Sequence, residues 1–466
     1  MTASALRDIE DLPGPRGLPL VGNLLQLRRS RIHRDVERWA RQYGPLFRFR
    51  LGPGKILVVA DHELIGALLR DRPDGFRRPA ITTEIALEMG LIAPGLFGAE
   101  GETWRNQRRM VMASFDPGHV KAYLPSLLKV AQRLHGRWQK AARAGASIDL
   151  QADLMRYTVD AIAGLAFGTD INTLESDDEV IQRHLDKIFP TLFKRILSVV
   201  PTWRFMRDRQ LDASVAAINA AIQGFIVQAR KRMAADPALR AHPSNLLEAM
   251  IGAADLGDSG VGDRDVAGNV LTMLLAGEDT TANTLAWMIY LLHRHPQSLL
   301  LAQEEVRRVI VDPAFVDPQQ LGELTYLEAC VHETMRLKPV APFLVLQALR
   351  DTTITNVRVP AGTLVWGVMR HDSVDERRFA NAAAFDPQRW VGEAGAAKRI
   401  SMPFGAGPRM CPGRYLALLE VKIAMVMLLG RFDIQGVDTP DAGEAEERMA
   451  FTMMPVGLRL RLRERP

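Results

Sequence analysis

Apolar residues recur at helical spacing over most of this chain, and the longest such stretch, Gly262 to Leu292, is apolar nearly all round at both ends. Val270 to Leu275 and Leu285 to Leu292 read there as parts of one buried helix, interrupted by the polar run Ala276-Gly277-Glu278-Asp279-Thr280-Thr281. Further helical patterns fill Val120 to Ala144, Leu150 to Ala166, Glu179 to Val199, Leu211 to Ala234 and Leu327 to Leu337, with a short one at Glu63 to Leu69. Alternating segments are fewer. Phe47 to Leu51 and Ile56 to Ala60, split by Gly52-Pro53-Gly54, predict a β-hairpin. Phe343 to Ala348, Thr353 to Val359 and Thr363 to Gly367 predict strands that pair with it, with Pro360-Ala361-Gly362 as a turn. Met449 to Met454 and Gly457 to Leu462 predict a terminal hairpin around Pro455. Thr82 to Phe97, punctuated by Gly90, Pro94 and Gly95, shows no period and predicts an irregular loop. The pattern is that of a mainly α protein with a small β lobe, drawn from residues 45–70 and 340–370.

Composition narrows this without changing it. No Gly-, Ser- or Pro-rich stretch is long enough for a linker and no repeat is visible, so residues 1–466 read as one domain, with 47% hydrophobic residues to fill its core. A formal charge of +5 is modest for this length and argues against a nucleic-acid partner. Two cysteines, Cys330 and Cys411, are too few for a disulfide framework and suggest a reducing compartment, with Cys330 read as core. Met1 to Asp11 carries Arg7, Asp8, Glu10 and Asp11 with no apolar signal segment, and no apolar run reaches spanning length. The expectation is a soluble cytoplasmic protein without a transmembrane anchor.

Candidate chemistry centres on Cys411. It sits in Phe404-Gly405-Ala406-Gly407-Pro408-Arg409-Met410-Cys411-Pro412-Gly413, followed at once by an amphipathic helix pattern with Leu416, Leu419, Ile423 and Met427 on one side. The glycines permit positive φ and close approach of backbone to a flat ligand, and Pro412 suits the first helical position after Cys411 as N-cap. Backbone N–H groups and the positive end of the helix would then stabilise a thiolate. In the long helix, Gly277 costs about 1 kcal/mol relative to alanine, and Thr280 is placed to bond the Ala276 carbonyl and bend the helix. Together they would open a groove for a diatomic ligand and water.

The loop resembles the haem-ligand signature of the cytochrome P-450 family, Phe-x-x-Gly-x-Arg-x-Cys-x-Gly, at Phe404, Gly407, Arg409, Cys411 and Gly413. The run from Ala276 to Thr281 resembles that family's oxygen-binding motif Ala-Gly-x-Asp/Glu-Thr-Thr. The resemblance covers nearly the whole chain. It implies the family fold, with haem b between the long helix and the cysteine loop and Cys411 as the iron ligand. It further implies Thr280 steadying oxygen and its waters, Asp279 feeding protons, and Ala276 and Gly277 lying beside the haem. Phe404 and Arg409 would contact the cofactor too. Thr82 to Phe97 would be the variable loop over the substrate pocket, and Leu12 to Gly22 resembles the hinge that follows the anchor of eukaryotic relatives.

Other residues read two ways until this resemblance is considered. Trp104 and Arg108, one helical turn apart, make a packing pair taken alone and a haem-propionate pair beside the cysteine loop. Glu333 and Arg336 make a solvated pair taken alone; the resemblance implies that they are buried, completed by Arg389, and hold the haem loop. Where many relatives have Arg-x-Ala, with the arginine on a propionate, this chain has Leu346-Gln347-Ala348, which leaves His371 or Arg409 to compensate. The stripe Phe189, Leu192, Phe193, Ile196 and Leu197 reads mostly as core, although the resemblance would make it a roof helix able to touch substrate or a membrane surface. Phe97, Met273, Ala276, Val340, Ala341, Phe343 and Met453 are apolar candidates for the substrate pocket, with Lys55 at its mouth to pair with a carboxylate.

The expected activity is therefore haem-dependent insertion of one atom of O2 into a C–H bond of a hydrophobic small molecule such as a fatty acid, terpenoid or steroid-like compound. No reductase domain follows Pro466, so a separate ferredoxin or flavodoxin with its NAD(P)H-dependent reductase is expected. A basic surface including Arg105, Arg109 and Arg414 would attract it. The alternatives are a noncatalytic haem-thiolate sensor or carrier, and an isomerase or dehydratase using haem without oxygen; the Asp279-Thr280 pair argues against both.

Overall fold

The computed structural model describes residues 6–92, 94–115, 123–176, 180–198, 201–206, 208–392 and 395–465. Its helices are α1 (Ile32–Tyr43), α2 (His62–Arg70), α3 (Ala80–Glu88), α4 (Gly101–Ser114), α5 (Leu124–Arg143), α6 (Leu150–Phe167), α7 (Val180–Ile196), α8 (Arg209–Ala235), α9 (Leu246–Ala254), α10 (Asp263–Arg294), α11 (Pro296–Val309), α12 (Pro318–Glu323), α13 (Thr325–Leu337), α14 (Gly395–Ser401) and α15 (Arg414–Arg431). Helix α10 runs 32 residues through the main core, starting on Asp263 and Asp265 and ending on Arg294, charges that complement its dipole. Val266, Val270, Leu274, Leu285 and Leu292 bury it against α6, α9, α13 and α15. The polar run survives in this setting because its side chains are bonded locally or into neighbouring elements.

The strands are β1 (Leu46–Leu51), β2 (Gly54–Val59), β3 (Phe76–Arg77), β4 (Ile148–Asp149), β5 (Phe343–Ala348), β6 (Thr352–Ile354), β7 (Val357–Val359), β8 (Leu364–Val368), β9 (Phe432–Asp438), β10 (Glu447–Met449), β11 (Met453–Pro455) and β12 (Arg459–Glu464). The β lobe is a five-stranded sheet in the order β1-β2-β8-β5-β3, antiparallel except for β2 with β8. It has its own small core of Leu57, Val59, Leu68, Leu69, Phe76 and Val365, and Leu346 belongs to that core. A mainly helical protein with a small β lobe is thus what folds.

Several local expectations change. Ala80 to Glu88, inside the stretch expected to be irregular, is helix α3; its apolar residues lie on both sides because the helix sits between the main core, reached by Ile85, and a cleft. Thr353 to Val359 is not one strand but the hairpin β6–β7, reversed where Thr355 takes a φ of 55°. The terminal hairpin around Pro455 does not form. β11 instead turns back on β10, while β12 pairs with β9 and β4. Alternation specifies strands but not which partners close the sheet. The helix ends expected at Val120, Glu179 and Val199 lie outside the described residues. Helix α8 is long and apolar enough, by length and composition, to cross a membrane; in the fold Leu211, Val215, Ile218 and Ile222 of this helix are buried.

Candidate functional site

The cysteine loop is closed by its own backbone, the Cys411 N–H donating to the Phe404 carbonyl at 3.0 Å. Gly405 and Gly407 take positive φ of 74° and 69°, and a Cβ at Gly407 would come within 2.4 Å of the Leu69 carbonyl oxygen. That glycine is therefore required by the close approach of the loop to the end of α2. Phe404 packs against the main core. Helix α15 begins at Arg414 with Gly413 as N-cap, two residues later than Cys411 and Pro412 suggest. The extra residues free the Gly413 N–H to bond the Cys411 sulfur. Burial pushes the thiol up, while that N–H, Arg108 and Arg414 work the other way. All three favour the anionic sulfur that a metal ligand requires.

On α10, the Thr280 hydroxyl donates to the Ala276 carbonyl at 2.7 Å, and Thr284 bonds back to Thr280 at 2.8 Å. Gly277 has a packing reason: a Cβ there would lie 2.5 Å from the Ile162 Cδ1 of α6. It permits the close crossing of α6 and α10 rather than, by itself, a groove. Asp279 accepts at Oδ1 from Asn283 Nδ2 at 2.7 Å and at Oδ2 from the Thr452 hydroxyl. Thr281 hydrogen-bonds Glu420 of α15, a fully buried carboxyl whose pKa burial raises to about 8. Glu420 was not among the sequence candidates, although a lone acid amid Leu418, Leu419, Val421 and Ile423 was a legible signal.

Arg409, one of the two residues left to stand in for an arginine at Leu346, belongs to a cluster the sequence did not disclose. Arg72, Arg78 and Arg409 converge around one carboxylate, Glu100, which pairs with Arg409 and accepts the Arg78 N–H at 3.1 Å. Burial depresses Arg72 to about 10, and repulsion from Arg409 adds to it. Arg78 lies well below its ordinary value through burial, then through Arg72 and Arg409. Four of their donor atoms, Arg72 Nε and Nη2, Arg78 Nε and Arg409 Nε, are buried with no partner among the described residues. Three positive charges against one negative leave an excess of two, which suits a ligand with two carboxylates, as haem b has. The residues present thus fit the cofactor. The Trp104 ring lies 4.6 Å beneath the Arg409 guanidinium, and Arg108 is half-buried beside Cys411. His371 instead faces Asp372 and Asp375, away from this cluster's partners.

The cluster makes opposite predictions for the two forms of the protein. Arg72→Gln and Arg78→Gln each relieve repulsion in the haem-free protein, so its denaturation midpoint rises. In the loaded protein each removes a charge-assisted bond worth about 1.5–3 kcal/mol, so haem passes faster to a haem-scavenging acceptor. Equal transfer rates in the variants and the wild type would reject the assignment.

Glu333 is completely buried and fully committed. It accepts from Arg336 Nε at 2.7 Å and Nη2 at 2.8 Å, Trp390 Nε1 at 2.8 Å, the Asp386 N–H at 2.8 Å and Arg389 Nε at 3.3 Å. Arg336 also donates to the carbonyls of Ser373, Ala382 and Ala384. The pair fastens the segment from Ser373 to Trp390, which leads toward the cysteine loop, onto α13.

An apolar cleft lies between α3, Leu91, Ile92 and residues 94–98, α7 and α10, with Phe451 at one side. Phe97 and Ala276 line it; so do Phe189 and Leu192, which the stripe on α7 assigned mostly to core. Met273, Val340, Ala341, Phe343 and Met453 do not line this cleft. Met453 is wholly buried, and Phe343 stacks on Trp366 at 5.1 Å. Lys55 pairs with Glu10 on the surface and is not among the lining residues.

A cysteine in a glycine loop whose buried thiol stays protonated until a metal draws the proton off, a back-bonded threonine in a long buried helix and an arginine cluster for two carboxylates are the features of a haem-thiolate protein. Residues 12–462 match the family model for cytochrome P450, and the chain belongs to that family, which binds haem b through a cysteine thiolate. Its relatives include a self-sufficient cytochrome P450 monooxygenase of Aspergillus niger, 28% identical over 98% of this chain and 43% of that one. The chain thus spans less than half the length of that relative. The chloroplastic protein LUTEIN DEFICIENT 5 of Arabidopsis thaliana is 27% identical over 84% of this chain and 68% of its own. Thromboxane-A synthase of Sus scrofa is 26% identical over 90% and 85%.

Proposed function

We propose that this chain is a monooxygenase that inserts one oxygen atom from O2 into a C–H bond of a hydrophobic small molecule such as a fatty acid, terpenoid or steroid-like compound. The observation that carries the reading is that the apolar cleft ends on Leu275 and Ala276, the residue whose carbonyl accepts the Thr280 hydroxyl. A substrate filling the cleft meets α10 where its polar run begins. The polar lining hydroxyls of Thr83 and Thr272 are already bonded, to the Gly98 and Gly268 carbonyls, so the walls favour apolar surface.

Haem b bound through Cys411 supplies the oxygen-activating chemistry. The chain's own contribution is proton management: Thr280, back-bonded to Ala276, holds water at the polar run of α10, and Asp279 passes protons to it. Electrons come from a ferredoxin or flavodoxin served by an NAD(P)H-dependent reductase, in the cytoplasm. Arg109 and Arg414 are the attracting charges for such an acidic partner, Arg105 being paired with Asp74 and Glu102.

The test separates the two side chains. Asp279→Asn slows turnover by about 100-fold, the usual scale of a general acid or base, because protons arrive late. Thr280→Ala keeps consuming reductant but releases hydrogen peroxide, because water near the haem is no longer ordered. Product formed per reductant consumed, with peroxide assayed in parallel, distinguishes these outcomes. Wild-type rate and coupling in both variants would remove the relay.

A further inference from the structure

The hairpin β10–β11 reaches the polar run of α10 from outside that helix. Its base is fixed by Glu447, which accepts from Arg370, Lys338 and His33. Burial alone would raise this carboxyl, yet hydrogen bonds from His33 and Arg370 and the charges of Arg370 and Lys338 hold it well below the usual carboxylate range. Arg370 is held from its other side by Glu37 at 2.8 Å. The hairpin is also tied along its length, the Met453 N–H donating to the Val340 carbonyl at 2.8 Å and Trp287 Nε1 to the Met453 carbonyl at 3.4 Å. Its tip is therefore held firmly against α10.

That tip is tight, the Ala450 N–H donating to the Thr452 carbonyl at 3.1 Å, and its adjacent residues face different surroundings. The Phe451 ring lines the cleft, stacked 4.8 Å from Phe189 and tilted against Phe97 at 6.0 Å. The next side chain, Thr452, is 5% exposed and gives its single proton to Asp279 Oδ2. Asn283, fully buried, donates from Nδ2 both to Asp279 Oδ1 at 2.7 Å and to the Thr452 hydroxyl oxygen at 3.2 Å. The three side chains close a ring of hydrogen bonds in which each oxygen of Asp279 accepts from a different residue. A lone carboxylate on a helix rotates about two side-chain bonds; two donors, one from a separate and rigid element, fix it.

We propose that Thr452 and Asn283 are positioning residues for Asp279, setting the orientation from which its carboxylate serves the Thr280 relay. The inference rests on the relay reading above. It puts part of the control of proton delivery on a hairpin far from the motif in sequence, Thr452 lying 173 residues beyond Asp279.

The experiment uses the haem-loaded protein with a ferredoxin and its reductase, and dodecan-1-ol as the apolar probe. Thr452→Val keeps shape but removes the hydroxyl, and reductant-driven turnover falls about tenfold or more, as small misplacements of reacting groups do. Thr452→Ser restores it. In an Asp279→Asn background the valine adds no further loss, because the residue acts through that carboxylate. The same four proteins, compared by denaturation midpoint, show singles whose shifts sum to more than the double variant's. That second readout is independent of turnover. A slow Asp279→Asn variant made slower again by Thr452→Val, or midpoint shifts that simply add, overturns the positioning role and leaves the relay intact. An Asp279→Asn variant that turns over at the wild-type rate overturns the relay, and the catalytic consequence of the clasp with it.

Discussion

Cys411→Ser is expected to abolish turnover and to erase the red-shifted absorption band that ferrous haem on a thiolate gives with carbon monoxide. A serine hydroxyl is a far weaker acid than a thiol and a poor anionic donor; burial raises the Cys411 thiol too, but the Gly413 N–H, Arg108 and Arg414 offset part of that and stand ready for the anion once a metal takes the proton's place. The loop itself survives the change, because its closure is the Cys411 N–H to the Phe404 carbonyl and does not involve the side chain. The variant therefore folds with a normal denaturation profile, which separates loss of the ligand from loss of structure. Cys330 cannot take over. It is buried in α13, and burial together with Glu305 and Glu333 keeps its thiol protonated. A Cys411→Ser protein that retained the band would mean that the iron ligand lies elsewhere.

Glu333→Ala is expected to cost about 3 to 5 kcal/mol, the range for removing one partner of a buried ion pair. The loss falls on Arg336, which is fully buried and keeps its three carbonyl acceptors but has no anion left to neutralise it. Trp390 Nε1 and the Asp386 N–H lose their acceptor at the same time. The segment from Ser373 to Trp390 then loosens from α13, and the cysteine loop loses its support. Little haem-loaded protein accumulates, and what does unfolds at a much lower denaturant midpoint. Glu333→Gln, which keeps the shape and some acceptors, falls between the two. Full haem occupancy and an unchanged midpoint in Glu333→Ala would show that the network does not hold the loop.

The site was legible in the sequence where chemistry depends on residues close together in the chain. Cys411 with its glycines, and Ala276 to Thr281, need only local backbone to bring their parts into register. Glu333 and Arg336 are likewise one helical turn apart, so their contact was readable, although their burial was implied only by family resemblance. The Arg72, Arg78 and Arg409 cluster was not readable. Its members come from the turn after α2, the residue after β3 and the cysteine loop, and an arginine is ordinarily a surface residue.

The sequence by itself determined several of the long helices, most strand segments of the β lobe, the cysteine loop and the polar run in α10, since each is written in periodicity or in a short motif. It misassigned Thr82 to Phe97 and the C-terminal hairpin because helix α3 and the pairing of β12 with β9 are stabilised by neighbours far away in the chain. Tertiary structure alone decided which apolar residues face the cleft. Phe189 and Met453 look alike in sequence, yet one lines the cavity and the other is wholly buried, because the face a residue presents is set by the elements packed against it. It also decided what holds Asp279. A carboxylate's partners are fixed by hydrogen-bond distances of about 3 Å, and only the folded chain brings Thr452 within such a distance.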